Sequence, residues 1–443
     1  MSKPTVLTQR FIFWFWLPLA TMWIIMSAEQ PLLAAVVSRL PEATQNLAAW
    51  GLTFSFSLII ESPVIMLLTA GTALAIHRQA YHRLMQFTTV LAVVMTAIHL
   101  LLAITPAYSY ILREWVGAPA EIIPISNHAF LIMLPWTGMI AYRRLWEGVM
   151  IRFGFPRRVT IVIVIRMVAT ALVLFAGLWL GRWNGASVGA AALGFGVTMG
   201  ALSAWWLARP TLREHLSTDK AGDAPLGWAE LVKFYTPLAM TSAVTLIGQP
   251  ILAFGLARAP LPLRSLAIWP VIMALVFIGR SVAIAFQEVV VALLDDPQSY
   301  RALKRFGFSL SVGASGLFLL LAITPAARLW FEGAQGLSAE LASMAILPTI
   351  LLFPVPALNA LLSWFRGVLV HNKHTSPISI AVILNMMVLL MTIFVGPMLI
   401  ALPGAVWAAI ALTASLAAEA LYLQISSRAE ALQIERVSHA FAE

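Results

Sequence analysis

The sequence predicts an all-α polytopic membrane protein. Twelve transmembrane helices form two parallel six-helix lobes related by a pseudo-twofold axis along the membrane normal. Three observations carry this. Sixty per cent of the residues are hydrophobic and 11 % are charged, less than half the ~25 % charged share of soluble domains. The apolar runs exceed twenty residues, the length a helix needs to cross a bilayer, whereas barrel strands alternate polarity over shorter segments. The chain also repeats itself at a constant offset of 219 residues.

The spans fall at about 11–38, 47–76, 84–106, 120–145, 158–181, 186–208, 230–257, 264–294, 303–326, 338–365, 375–400 and 404–427. The first opens with Phe11, Phe13, Trp14, Phe15 and Trp16, an interfacial aromatic cluster, and Trp205 and Trp206 close the sixth. The polar stretch Arg209 to Gly227 reads as a linker. The domain reading is therefore an N-terminal lobe 1–208, a cytoplasmic linker 209–229, a C-terminal lobe 230–427 and a cytoplasmic tail 428–443.

Lys and Arg set the orientation. With the amino terminus in the cytoplasm, nineteen of the 28 fall on the inner side, Arg143 and Arg144 among them, six on the outer side and three within spans. Both termini are thus expected in the cytoplasm, and the protein in a bacterial inner (plasma) membrane. The net charge of +9 is mostly this topology signal and needs no nucleic-acid partner. No cysteine is present, which excludes thiolate metal sites, Fe–S clusters and disulfides. Neither a phosphate-cradling Gly-rich loop with its lysine nor a nucleophile–base pair stands out, so an enzyme is not expected and no cofactor is implied.

The repeat is legible by eye. Pro18-Leu19-Ala20 recurs as Pro237-Leu238-Ala239, Gln30-Pro31 as Gln249-Pro250, and Leu101 to Pro106 as Leu320 to Pro325. Pro135 meets Pro354, Gly148-Val149 meets Gly367-Val368, and Gly185-Ala186 meets Gly404-Ala405. Six spans per half insert both halves the same way up, an arrangement typical of transporters that rock around a midplane site. A proline within a helix removes one hydrogen bond and clashes with the carbonyl four residues earlier. Pro31 and Pro250 thus predict a paired kink late in spans one and seven.

Mid-span charges are costly, by roughly 3 kcal/mol on insertion scales, and are functional candidates by default. Glu61 sits mid-way along span two, and its repeat equivalent is Arg280. Thr53, Ser57 and Glu61 recur every four residues and share a face. Arg280, Gln287 and Glu288 share one on span eight. With Glu29 and Gln30 of span one and Gln249 of span seven, these residues are expected to line a central cavity. Glu61, Arg280, Gln30, Gln249 and Gln287 are the substrate-binding candidates. Glu29 and Glu61 are the ion-coupling candidates, for Na⁺ or H⁺. For Glu61 and Arg280 a structural salt bridge is the alternative reading. Glu147 and Arg366 are a second equivalent pair of opposite charge, read either as an inner gate or as two interfacial charges. His99 and His128 read as packed histidines.

At this level the chain resembles the multidrug and toxic compound extrusion (MATE) transporters. Within their superfamily of multidrug, oligosaccharidyl-lipid and polysaccharide exporters it is most similar to the progressive ankylosis protein family. The residues concerned are Glu29-Gln30, Ala49-Trp50-Gly51-Leu52, Phe353-Pro354-Val355-Pro356 and Pro403-Gly404-Ala405. The resemblance implies a V-shaped pair of lobes and alternating access. It also implies either cation-coupled extrusion or export of organic anions such as citrate or nucleotides. The coupling acid of MATE proteins lies in span one, where Glu29 is the nearest match. The expected function is a secondary transporter, a monomer in the lipid bilayer, exporting a small polar or anionic metabolite. Cation-coupled efflux of organic cations and flipping of a lipid-linked intermediate are the alternatives.

Overall fold

The structure is a computed structural model and describes residues 7–216, 226–372 and 376–440. Residues 217–225 of the expected linker and 441–443 of the tail lie outside the described residues. Every regular element among the described residues is helical. In chain order the spans are α1 (Gln9–Val37), α2 (Ala43–Leu74), α3 (Arg78–Ile104), α4 (Ile123–Ile132 and Leu134–Arg152), α5 (Pro156–Leu180) and α6 (Gly185–His215). The second half holds α7 (Trp228–Leu246 and Gly248–Arg258), α8 (Pro262–Leu293), α9 (Pro297–Ile323), α10 (Ala339–His371), α11 (Ser376–Leu399) and α12 (Gly404–Ala440). Ten of these are long and apolar enough to cross a membrane. The other two, α4 and α7, stand where spans four and seven are expected.

The two halves share more than sequence. α1 breaks at Ala28 and α7 at Ile247, positions 219 apart and each three residues before the proline expected to kink it. α2 breaks at Met66 and α8 at Ala285, again 219 apart. The α4 break at Met133 answers the α10 break at Leu352, with Pro135 and Pro354 just inside the following segments. Two non-glycine residues among those described have positive φ, Glu42 at 52° and Leu261 at 57°. A left-handed residue of this kind costs about 1–2 kcal/mol. Both follow a proline, Pro41 and Pro260, in the turn that leads into the second span of each half. A π-helical turn likewise recurs at Ile111–Val116 and Leu329–Ala334.

Packing divides the chain differently from the repeat. One unit comprises Met1–Ala34, Ala259–Leu261 and Ile268–Glu443; the other comprises Ala35–Arg258 and Pro262–Ala267. These units differ from the expected lobes 1–208 and 230–427 in that most of α1 falls in the first unit and all of α7 in the second. Side chains explain the difference. In the first unit the Trp16 indole donates to the Val282 carbonyl at 2.9 Å, and its ring meets Phe306 edge-on. Ile12 and Ala20 pack into the same core with Phe286, Val290 and Trp364. In the second unit the Tyr235 hydroxyl of α7 donates to the Pro63 carbonyl of α2, and its ring lies 4.8 Å from Phe87 of α3.

Within each unit the repeated Gly-Val step makes a close helix crossing. A Cβ on Gly148 would lie 2.3 Å from the Leu68 carbonyl oxygen, and one on Gly367 would lie 2.7 Å from Cβ of Val290. Small residues at such crossings let membrane helices approach without a void. The result holds α4 against the last turns of α2, and α10 against those of α8.

Candidate functional site

In the second unit the polar stripe of α2 turns inward. The Thr53 hydroxyl lies 3.0 Å from that of Ser126, which lies 2.9 Å from the Tyr108 hydroxyl. The Ser57 hydroxyl donates to the Met133 sulfur at 3.5 Å. Glu61 completes the stripe and is buried, 3 % exposed.

Around it stands a group of charges that α4 and α5 supply. Arg143 donates to Glu147 at 2.9 Å, and Arg144 to its other oxygen at 3.5 Å. The charge of Arg143 feels Glu147, Arg144, Arg166 and Glu61 together. Arg143, Glu147 and Arg166 are all buried. Among the described residues this group counts three arginines and two glutamates, in surroundings where an unbalanced ion is costly. Gly200 of α6 makes room for the group. A Cβ there would lie 3.1 Å from Cδ of Arg143 and 3.4 Å from Cβ of Arg166.

The first unit builds its counterpart at the same repeat positions. Arg366 of α10 pairs with Glu419 of α12, and Asn385 of α11 donates to the other Glu419 oxygen at 2.9 Å. Stepping by 219, Glu61 becomes Arg280, Glu147 becomes Arg366, Arg166 becomes Asn385 and Gly200 becomes Glu419. The fold thus uses one set of four positions twice, with the signs redistributed. Arg280 is the member without an acid: no carboxylate pairs with it among the described residues, and its buried Nε has no hydrogen-bond partner. Its guanidinium lies 5.2 Å from the Phe277 ring centre.

The remaining candidates lie on α1, α4, α7, α8 and α10. Glu29 is buried in the first turn after the Ala28 break, where the helix dipole favours a carboxylate. Gln30 and Gln249 are half-buried beside the α1 and α7 breaks, and Gln287 is half-buried in the last segment of α8. Glu147 and Arg366 lie in different units, and each has its own partner there. His99 is packed as expected, between the Thr137 hydroxyl at 2.7 Å and the Phe130 carbonyl at 2.8 Å. His128 lies 2.9 Å from the Ser187 hydroxyl. Among the described residues no cluster of His, Asp or Glu could hold a metal ion.

Sequence reasoning missed Arg143, which it counted as an inner-side topology charge; α4 continues to Arg152 and buries it. The signal was present in its i, i+4 spacing to Glu147. Asn385 and Glu419 also belong to this set of positions. Applying the 219 offset to Arg166 and Gly200 would have found both.

No protein-family model and no curated protein matches the chain by sequence. Solved structures do match it in fold. An inward-facing multidrug resistance MATE family transporter of the MOP superfamily aligns with a TM-score of 0.67 at 14 % identity, over 94 % of this chain and 96 % of its own. The lipid II flippase MurJ, in an inward closed conformation, aligns with a TM-score of 0.69 at 15 % identity, over 94 % of this chain and 89 % of its own. A MOP superfamily transporter from Pyrococcus furiosus, described as having a binding pocket of reversed polarity that suggests a different function, aligns with a TM-score of 0.62 at 17 % identity, over 95 % and 96 %. The chain has the fold of these proteins.

Proposed function

We propose that this chain is a secondary active membrane transporter of the MOP type, working by alternating access and carrying a small polar or anionic solute outward. The observation that supports the anionic reading is Arg280. A guanidinium midway along a membrane helix, with a buried donor unfilled and no acid paired to it among the described residues, is costly to keep. An anion would supply the missing partner through charge-assisted hydrogen bonds, for which a guanidinium is well shaped. The likeness of Glu29-Gln30 and Phe353-Pro354-Val355-Pro356 to the progressive ankylosis family supports the same class of solute, organic anions such as citrate. Gln30, Gln249 and Gln287 are the neutral contacts of this reading. Glu61 and Glu29 couple transport to Na⁺ or H⁺, and Glu147 and Arg366 act as gate positions. The protein works as a monomer with both termini in the cytoplasm, in a bacterial inner membrane.

The test is uptake by proteoliposomes of the purified protein, with labelled citrate and a labelled cationic dye side by side, under imposed Na⁺ and proton gradients. Gradient-driven citrate movement that Arg280→Ala abolishes is the expected result. Movement of the dye alone overturns the anion reading in favour of cation-coupled multidrug efflux. A second reading, flipping of a lipid-linked intermediate, is supported by the similarity in fold to MurJ. It takes precedence if neither solute moves and a labelled lipid-linked pyrophosphate does.

A further inference from the structure

One cavity plays no part in that reading. It lies wholly within the first unit, between the start of α1, α9, α10 and α12 near Ser427, and has a volume of about 820 Å³, inside the ~300–1,000 Å³ range of ligand pockets. Arg301, Lys304 and Arg305 of α9 line one wall and Trp364 and Phe365 of α10 another. No acidic residue lines it among those described.

The three cations are spaced i, i+3 and i+4, so they stand on one face and repel one another. All three are exposed, which leaves them open to an external anion. Lys304 also lies 5.9 Å from the Tyr300 ring centre.

Depth identifies the anion. α9 begins at Pro297 and runs 27 residues; at 1.5 Å per residue the cations lie about 6–12 Å along it, near the end of a helix long enough to span a bilayer, where headgroups would lie. The face of Arg305 then turns apolar: Phe308, Val312, Gly316 and Leu320 all lie within about 60° of it around the helix. Phe308 is 67 % exposed and Val312 and Leu320 are 58 % exposed, and a Cβ on Gly316 would meet nothing within 4 Å. A cationic cavity therefore opens onto an apolar track along one helix.

A general topology signal does not explain the cluster. The equivalent positions of the first repeat, at the start of α3, hold His82, Met85 and Gln86. Positive charge could satisfy the orientation rule anywhere in a short inner segment, whereas here it is gathered on one face at a cavity.

We propose that this cavity binds an anionic phospholipid. Its phosphate rests on Arg301, Lys304 and Arg305, and one acyl chain lies along Phe308, Val312 and Leu320. The occupant belongs to the cytoplasmic leaflet if the Lys/Arg orientation holds; the site itself does not depend on that orientation or on the transported solute.

The test is native mass spectrometry of the full-length protein, delipidated in neutral detergent and titrated with phosphatidylglycerol or phosphatidylcholine of identical acyl chains. Phosphatidylglycerol is expected to bind at least tenfold more tightly. The R301A/K304A/R305A variant should lose that preference, R301K/R305K should keep it, and R209A/R213A, which removes basic residues of the other unit, should leave it intact. Soluble glycerophosphate should compete only weakly, because it lacks the acyl chain. Equal binding of the two lipids by the unaltered protein overturns the proposal without recourse to any variant. So does an undiminished preference in the triple variant, or an equal loss in R209A/R213A. Glycerophosphate binding as tight as the lipid's would make this a free-phosphate site and overturn the lipid assignment.

Discussion

Glu147 and Arg366 occupy one position of the repeat, carry opposite charges, and are each neutralised inside their own unit. Glu147 is held by Arg143 at 2.9 Å and by Arg144 at 3.5 Å, and Arg366 by Glu419. The repeat has kept the polar position and exchanged its sign, and each exchange brought its own compensation: Gly200 opens space for two arginines, and Glu419 fills the equivalent space with an acid.

The first prediction follows from the burial of these pairs. Glu147 is 1 % exposed and the Arg143 side chain 5 %. Glu147→Ala strands two guanidinium groups and should destabilise the protein by about 3–5 kcal/mol. Arg366→Ala should cost less, because the stranded Glu419 keeps its Asn385 hydrogen bond and can be neutralised by a proton, whereas a stranded guanidinium cannot give one up. Apparent melting temperatures in detergent give the order; an equal or larger loss for Arg366→Ala would contradict it.

The glycines separate in the same measurement. Gly148→Ala would set a Cβ 2.3 Å from a backbone oxygen, which no side-chain adjustment relieves. It should cost about 1–3 kcal/mol, in the range of overpacked cores. Gly313→Ala, where nothing lies within 4 Å, should be neutral or gain about 0.5–1 kcal/mol from helix propensity. A Gly148→Ala variant as stable as Gly313→Ala would show that α4 and α2 do not cross that closely.

Much of this architecture was legible in the chain. Span length and hydropathy are local properties, so the helices could be read directly. The 219 offset carried the kinks at Pro31 and Pro250 into the structure at Ala28 and Ile247. The packing partners of α1 and α7 were not legible. A repeat reports which elements are equivalent, and contacts such as Trp16 to Val282 or Tyr235 to Pro63 are long-range choices that no window of sequence contains. The site was half legible. Periodicity placed Thr53, Ser57 and Glu61 on one face, and the structure turns that face toward α4 of the same unit. Arg143 was hidden because a cation near a span end looks the same whether the helix stops there or continues to Arg152.

Arg280 offers a graded test of the anion reading. Arg280→Lys retains the charge and loses the planar fork, whereas Arg280→Ala loses both. Hydrogen bonds to charged groups are worth about 1.5–3 kcal/mol, so solute affinity should fall about 10–100-fold in the alanine variant and by an intermediate amount in the lysine variant. Equilibrium binding of citrate to detergent-solubilised protein reads the affinities. Equal affinities in all three proteins would remove Arg280 from the site.

Asn46 and Ser265 are also repeat equivalents, and their chemistry predicts opposite outcomes. Asn46 is fully buried, donates to the carbonyls of Pro41 at 3.0 Å and Glu42 at 3.2 Å, and accepts from the Ala186 amide at 2.9 Å. One side chain thus closes the left-handed turn at Glu42 and satisfies an orphan donor at the start of α6. In the second half the backbone makes the corresponding link directly, the Gly404 amide donating to the Pro260 carbonyl at 3.1 Å. The Ser265 hydroxyl is left buried with no hydrogen-bond partner. Asn46→Ala should therefore destabilise by about 1–3 kcal/mol, the cost of leaving buried groups unsatisfied, whereas Ser265→Ala should be neutral or slightly stabilising. Asn46→Asp distinguishes the two parts of the role, because it keeps the acceptor for Ala186 and loses both donors. Its melting temperature should lie at or below that of the alanine variant, since it also buries a charge. If Ser265→Ala proved as damaging as Asn46→Ala, the Gly404 to Pro260 link would not be the substitute proposed for the asparagine.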